Sequence, residues 1–324
     1  MKNVAIIMGG YSSEYKISLT SGDVVYRNIN LSKYKPYRIH IFKEKWVYIA
    51  ENEAEYTIDK NDFSVQIDGE KIKFDVVFNA IHGTPGEDGL MQAYFALLNI
   101  PQTSCDYYQA ALTFNKRDML SVLKPYGIKT ATSYYLNSGD EINTTSIIEK
   151  VGLPCFVKPN KSGSSFGISK VKNIEELLPA IDNAYKEDDE IIIESFLDGT
   201  EVSVGVINFK GTIKVLPITE IVSENDFFDY EAKYLGKSEE ITPARISEEL
   251  QIKIETVATR AYEVLKMKGF SRSEFIIVNN EPYMLEMNTI PGLTTESILP
   301  QQAKEAGISL VELFENAIEL ALKN

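Results

Sequence analysis

Two cysteines, two histidines and one tryptophan are all that 324 residues hold of those types. Cys105 and Cys155 lie far apart in apolar surroundings, which excludes a disulfide framework or a cysteine metal site and fits a reducing compartment. No apolar run approaches the roughly 20 residues of a membrane span, and the chain enters a strand without the charged-then-apolar layout of a signal. A cytoplasmic protein with no membrane partner is expected. Positive charge is scarce too: 33 Lys+Arg against 47 Asp+Glu leave a net charge of −14. That balance argues against nucleic acid as a partner, while a small anion in a local basic pocket stays compatible.

The remainder is ordinary: 44% hydrophobic and 25% charged residues, in a chain long enough for two or three compact domains. Within it the stretch 158–170, KPNKSGSSFGISK, concentrates glycine, hydroxyl and lysine between two short apolar runs, as at the tip of a hairpin. Glycines at 163 and 167 let backbone N–H groups approach an anion, Ser162, Ser164 and Ser165 add hydroxyl donors, and lysines 158, 161 and 170 add charge. The spacing is not that of a Walker A loop. A surface turn shares this composition, so the segment alone leaves phosphate binding and a plain turn both open.

From the N-terminus, an apolar strand at 4–8 ends in Gly9-Gly10, and helical spacing follows at 17–29. The glycines of a dinucleotide fingerprint are not in place. Glu14 sits between the two elements, where it either points into a ligand crevice or serves the first turn of the helix. A second apolar strand, 74–80, runs into IHGTPGEDG, which puts His82 at a strand end beside glycines; a site role and a structural hydrogen bond are both open to it. Asn115 caps a helix beginning at Lys116, and the first domain boundary is expected close to 105–115. The strand 190–196 carries Glu194 and Phe196 at its end, with Leu197 and Glu201 just beyond. Those residues suit a flat heterocycle, or else an edge strand with solvated acids. Residues 221–243 lack periodicity yet contain FFDYEAKYL, as expected of an ordered cover over a site.

Residues 270–278 and 282–287 read as two strands joined by Asn279-Asn280-Glu281. A three-residue loop would oppose Glu274 to Glu286 and Arg272 to Asn288, all on one face, with Phe275, Ile277, Leu285 and Met287 turned to a core. Two carboxylates and an amide oxygen on one sheet face suit Mg²⁺, whose remaining positions substrate phosphates fill. A solvated polar face is the alternative. Opposed acids repel unless something positive lies between them, which favours the cation. The turn from Asn288 to Thr294 could cradle an oxyanion, and Ser297 opens the next helix.

Taken together, VAIIMGG, EYKISL, IHGTPGEDG, VKPNKSGSSFGISKV, DYEAKYL and LEMNTIPGLTTES make the chain closely resemble the D-alanine–D-alanine ligases of the ATP-grasp superfamily, from about residue 4 to about 320. The resemblance implies an α/β, three-domain ATP-grasp architecture with an N-terminal parallel-sheet domain. Its spans would be an N-terminal substrate domain at 1–110, a central domain at 111–200 and a C-terminal domain at 201–324 bearing the cover at 221–243. It implies an ATP-dependent reaction in which one D-alanine is phosphorylated on its carboxylate and the amine of a second attacks the acyl phosphate. By the same similarity Lys116 and Lys158 would hold the α/β-phosphates, Ser165 the γ-phosphate, and Lys233 would reach the γ-phosphate from the cover. Glu194, Phe196, Leu197 and Glu201 would take adenine and ribose. Glu274, Glu286 and Asn288 would bind two Mg²⁺ ions, or Mn²⁺ in their place. Glu14 would pair with the first D-alanine's ammonium and His82 lie near its carboxylate. Arg272 and the Gly292 N–H would stabilise the tetrahedral oxyanion, and Ser297 would hold the second substrate's carboxylate. Glu14, Ser164 and Tyr234 would form a triad that fastens the cover, and a homodimer through the first domain is implied. Glu274 stands where most relatives carry Asp. Rival readings are a ligase making D-alanyl-D-lactate or D-alanyl-D-serine, and a non-catalytic ATP-binding regulator; Tyr234 matches the dipeptide formers.

Overall fold

The computed structural model describes residues 1–163, 166–223 and 238–323 and builds them around three sheets. The first contains β1 (Lys2–Gly9), β2 (Tyr34–Ile41), β3 (Trp46–Ile49), β4 (Glu55–Asp59), β5 (Ser64–Ile67), β6 (Glu70–Lys73) and β7 (Val76–Asn79), in the order β6-β5-β4-β3-β2-β1-β7. Only β2, β1 and β7 run parallel; the strands beyond β2 are antiparallel. The expected parallel sheet is therefore its centre alone, extended by an antiparallel meander. The sequence separates the two parts. Val4, Ala5, Ile6, Ile7 and Met8 are fully buried, as a strand covered on both faces must be, whereas β2 alternates buried with part-exposed residues. Helix α1 (Tyr15–Arg27) makes the crossover from β1 to β2, and α2 (Leu90–Leu97) and α3 (Tyr107–Phe114) follow β7.

Helix α4 (Lys116–Leu123) leads to the second sheet, formed by β8 (Ser133–Asn137), β9 (Cys155–Pro159), β10 (Ser169–Val171) and β11 (Glu190–Ser195) in the antiparallel order β10-β9-β11-β8. Helices α5 (Thr144–Val151) and α6 (Leu177–Ala184) bury Ile147, Leu177 and Ile181 against Val157, Ile191 and Ile193 in a core of their own. The β9–β10 hairpin carries the glycine/serine loop, as the flanking apolar runs predicted.

The third sheet has β12 (Thr200–Phe209), β13 (Thr212–Val215), β14 (Thr219–Ser223), β15 (Ser238–Ile241), β16 (Phe270–Val278) and β17 (Glu281–Asn288), with α7 (Glu248–Val264) against it. The order is β15-β14-β12-β16-β17, with β13 also on β12. Strands β14 and β15 pair from Glu220↔Ile241 to Ser223↔Ser238. The expected cover at 221–243 thus begins and ends in strand, while Lys233 and Tyr234 lie outside the described residues. Helix α8 (Ile298–Glu305) packs on the third sheet, and α9 (Leu310–Lys323) lays Phe314 against Phe78 of β7, ring centroids 5.5 Å apart. The last helix therefore does not close the third unit alone. It shares one core with the first sheet.

Candidate active site

The β16–β17 hairpin positions the polar face, by a route the sequence reading did not foresee. Its turn has two residues, Asn279 and Asn280, both at positive φ (51° and 60°), the backbone that suits a two-residue hairpin. Pairing then runs Val278↔Glu281 up to Phe275↔Met284, one step out of the expected register. A β-bulge at Leu285 restores it, so that Glu274 opposes Glu286 and Arg272 opposes Asn288. The wrong turn and the missed bulge cancel. Their residue is a correction at Leu285, which turns to the site side and lines a cavity, while Met284, fully buried, takes the core position.

The opposed acids each have a cation. Arg272 ion-pairs with Glu274 and donates to Ser203 Oγ at 3.3 Å. Lys116 Nζ lies 3.1 Å from Glu286 Oε2 and donates to the Ser162 carbonyl at 2.8 Å, tying the glycine/serine loop to the sheet. Asn115 caps α4 by accepting from Asp118 N–H at 3.0 Å. Asn160, fully buried, holds that helix start to the loop, donating to Asn115 Oδ1 at 2.8 Å and accepting from Arg117 N–H at 2.9 Å. Sequence reasoning missed Asn160, because in KPNK it looks like one more turn residue. Among the described residues no group of three or more His, Cys, Asp or Glu converges. The register brings Glu274, Glu286 and Asn288 to one face with oxygen donors only. That donor set fits a hard divalent cation that takes its other ligands from phosphate, and does not fit a closed structural metal site.

Beyond Lys116 a cavity is lined by Lys158, Glu194, Glu201, Glu274 and Glu286 on its polar side and by Ala131, Phe156, Ile168, Leu197, Ile276 and Leu285 on its apolar side. Lys158 Nζ sits 2.9 Å from Glu194 Oε2. Burial works against the ammonium's charge, but Glu194, aided by Glu286 and Glu201, outweighs it and holds the pKa above its ordinary value. Glu194 Oε1 is buried and accepts no hydrogen bond among the described residues, so an acceptor is left facing the cavity. Of the residues expected around a heterocycle, Glu194, Leu197 and Glu201 line this space. Phe196 does not. Its ring stands beside Phe156, centroids 6.2 Å apart, under Lys170 Nζ at 4.5 Å, and so backs the wall. Phe156 was legible as the outward partner of Lys158 in the alternation of β9.

Two further cavities continue the line. One is bounded by Glu14, Glu87, Lys116, Ser162, Gly163, Arg272, Glu286 and Asn288. The next, of about 330 Å³, is bounded by Glu14, His82, Glu240, Arg272, Asn288, Gly292, Glu296 and Ser297. Glu14, at the start of α1, does not cap the helix with its side chain. Instead the loop closes onto it: a Cβ at position 163 would stand 2.6 Å from Glu14 Oε2, so only glycine lets the two meet. Ser164 and Ser165, the next loop residues expected to act here, lie outside the described residues, as do Lys233 and Tyr234.

His82 is buried and both ring nitrogens are engaged. Nδ1 lies 2.8 Å from the Ile290 carbonyl, which can only accept, so Nδ1 carries the proton and Nε2 accepts from Ser21 Oγ at 3.0 Å. Ser21 Oγ in turn accepts the Leu293 N–H at 3.2 Å. Burial lowers the His82 pKa, keeping it neutral. The side chain lines the larger cavity, yet its hydrogen bonds make it a clasp between the first sheet's loops and the turn that carries Gly292. Ser297, at the start of α8, is 2.8 Å from Thr294 Oγ1.

A strand-flanked glycine/serine loop on one sheet faces an acidic, lysine- and arginine-bearing face on another, and this arrangement defines an ATP-grasp enzyme. Residues 3–105 match the model of the D-ala D-ala ligase N-terminus, and 122–319 that of the D-ala D-ala ligase C-terminus. A D-alanine–D-alanine ligase from Flavobacterium johnsoniae is 79% identical over 322 residues, covering 99% of this chain and 100% of that one; one from Christiangramia forsetii is 61% identical, covering 99% and 98%. Among solved structures, the VanG D-Ala:D-Ser ligase from Enterococcus faecalis superposes with a TM-score of 0.87 at 31% identity, covering 99% of both chains. The Bacillus anthracis D-alanine–D-alanine ligase complexed with ATP gives 0.81 at 26%, covering 100% of this chain and 98% of that one. The chain belongs to the D-alanine–D-alanine ligase family.

Proposed function

We propose that this chain uses ATP to join two molecules of D-alanine into D-alanyl-D-alanine, a precursor for peptidoglycan, and that the line of cavities divides the work. The observation that carries the reading is their continuity. Lys116 and Glu286 border both the first and second cavities, and Glu14, Arg272 and Asn288 border both the second and third. A triphosphate lying along Lys158 and Lys116 thus ends beside the acid that would receive an amino-acid ammonium.

In this reading Glu194, Leu197 and Glu201 take adenine and ribose, with Phe156 as wall and Phe196 behind it. Lys116 and Lys158 neutralise phosphate, helped by Ser165 and Lys233. Glu274, Glu286 and Asn288 hold Mg²⁺, which when bound screens the charge of the phosphates. Glu14 fixes the ammonium of the first D-alanine so that its carboxylate oxygen faces the γ-phosphorus, and the transfer is one of positioning and charge neutralisation. The second amine then attacks the acyl phosphate. The nucleophile is the free amine, its ammonium proton first given up to solvent. The C–N bond forms, the C–O bond to phosphate breaks, phosphate leaves with the proton shed by the nitrogen, and Arg272 with the Gly292 N–H supports the oxyanion between. His82 and Ser21 hold the turn bearing Gly292, while Ser297 receives the second carboxylate. Ser164 and Tyr234, with Glu14, fasten the cover. A cytoplasmic homodimer associating through the first domain belongs to the same proposal; Leu97, Tyr107 and Tyr108 of that domain are exposed.

Purified protein with Mg²⁺ and ATP is expected to release phosphate in response to D-alanine and to form the dipeptide, with L-alanine inert and a chelator abolishing turnover. D-Serine offered in competition separates a mixed-product ligase from a dipeptide former. ATP binding without any ligated product would instead make this a regulatory nucleotide binder.

A further inference from the structure

Two zwitterions must enter the larger cavity, bringing two ammonium groups and two carboxylates. The assignments above give the first ammonium to Glu14 and leave the second without an anion. On that reading of the cavity, we propose that Glu240 is the residue that receives the ammonium of the second D-alanine and makes the site prefer an amine over a hydroxyl nucleophile.

The third sheet places it. Residues opposed across a ladder share a face, and the pairing runs Glu240↔Ile221, Ile221↔Glu201 and Glu201↔Ile276. Glu201 and Ile276 line the nucleotide cavity, and Glu274 and Arg272 follow Ile276 on the same face at steps of two. Glu240 is thus the outermost member of the row that carries the rest of the site. It borders the larger cavity together with Arg272, Gly292 and Ser297. It is half-buried and makes no hydrogen bond or ion pair among the described residues; burial pushes its carboxyl above the ordinary range, with Arg272 pulling it back. A part-buried acid without a partner is costly until a cation arrives, and the cation this enzyme's substrate brings is an ammonium. Glu296 also borders the cavity, but it is exposed, so water screens it. Its neighbour Glu239 is exposed and, being one step along the strand, points to the opposite face.

Local pattern offers no hint of this role, because 238–241 falls at the end of the aperiodic stretch 221–243, expected to be an ordered cover with no strand of its own. The role is specific enough to be measured. Glu240→Gln is expected to raise the KM for D-alanine at the second site about tenfold, with the constants for ATP and for D-alanine at the first site within about twofold. Glu240→Asp should recover part of that loss. In the same variant the ratio of D-alanyl-D-lactate to dipeptide, with D-lactate and D-alanine supplied together, should rise. Glu239→Gln, on the opposite face, should leave all three constants and the product ratio unchanged. An unchanged second-site KM in Glu240→Gln overturns the proposal, as does an equal rise in all three constants, which would mark a structural role. Loss of the second-site constant in Glu296→Gln alone would transfer the assignment to that residue. If the unmodified protein makes no dipeptide at all, the failure belongs to the underlying reading of the site.

Discussion

Burial pushes the Glu87 carboxyl from 4.5 up to about 8, and the charge of Glu14 pushes the same way; the Gly83 N–H that Oε2 accepts at 2.9 Å offsets only part of this. Between those two values the folded chain keeps a proton that the unfolded chain releases. Stability from this group is therefore fully present below about 4.5 and is lost as pH rises through about 8. Glu87→Gln keeps an acceptor for Gly83 and removes the titration. The variant's melting temperature minus that of the unmodified protein should grow from mildly acid pH to about pH 8 and then level off. A difference that does not change with pH would show that Glu87 is already ionised in the folded chain. At this scale the sequence revealed residue types well and their partners poorly. Glu14, Arg272, Glu274, Glu286 and Asn288 were legible from strand ends and alternation. The double engagement of His82 was not, because Ser21 and the Ile290 carbonyl are remote in sequence. Asn160 was missed for the same reason: its partners Asn115 and Arg117 belong to a helix start that no local pattern joins to a loop some 45 residues on.

The β16–β17 hairpin shows how an element can be read correctly at one end and wrongly at the other. Alternation fixed which residues share a face near the site, but it cannot count a bulge, since one extra residue restores the same alternation further along. Met284 and Leu285 are the pair on which the two readings differ. Met284 is fully buried behind the sheet, so Met284→Ala should cost about 2–5 kcal/mol in denaturant unfolding. Leu285 is half-buried and lines the cavity beside Lys158 and Glu194 that is proposed to take the nucleotide, so Leu285→Ala should cost under about 1.5 kcal/mol while raising the KM for ATP several-fold, read by steady-state kinetics. A large stability loss at Leu285 with ATP affinity intact would restore the register without the bulge.

Across the whole molecule, the strand-helix opening at 4–29, the hairpin tip at 158–170 and the strand pair at 270–287 were legible from the order of apolar runs and turn residues. How the units lean on one another was not. An amphipathic helix announces that it buries a face, and says nothing of what covers it. Helix α9 follows the third unit in sequence, yet Phe314, Ala317 and Ile318 join Val4, Ile6, Met8 and Phe78 in a single core, together with Ile207 and Leu299 of the third unit. The second unit keeps a core of its own around Ile147, Val157 and Ile181 on one face, while Ile192 of β11 enters the third unit's core on the other. The first and third units should therefore lose structure together, and the face of the second unit covered by α5 and α6 should outlast them. Phe314→Ala, which removes a fully buried ring packed edge-on against Phe78, should cost about 3–5 kcal/mol. Its signature in native-state hydrogen exchange should reach the amides of β1 and β7 as well as those of α9, while β9 and β11 keep their protection. Faster exchange confined to α9 would mean that the helix is an appendage of the third unit. Faster exchange throughout, β9 and β11 included, would mean that the second unit has no stability of its own, and the β9–β10 hairpin would then stand on a scaffold that unfolds as one.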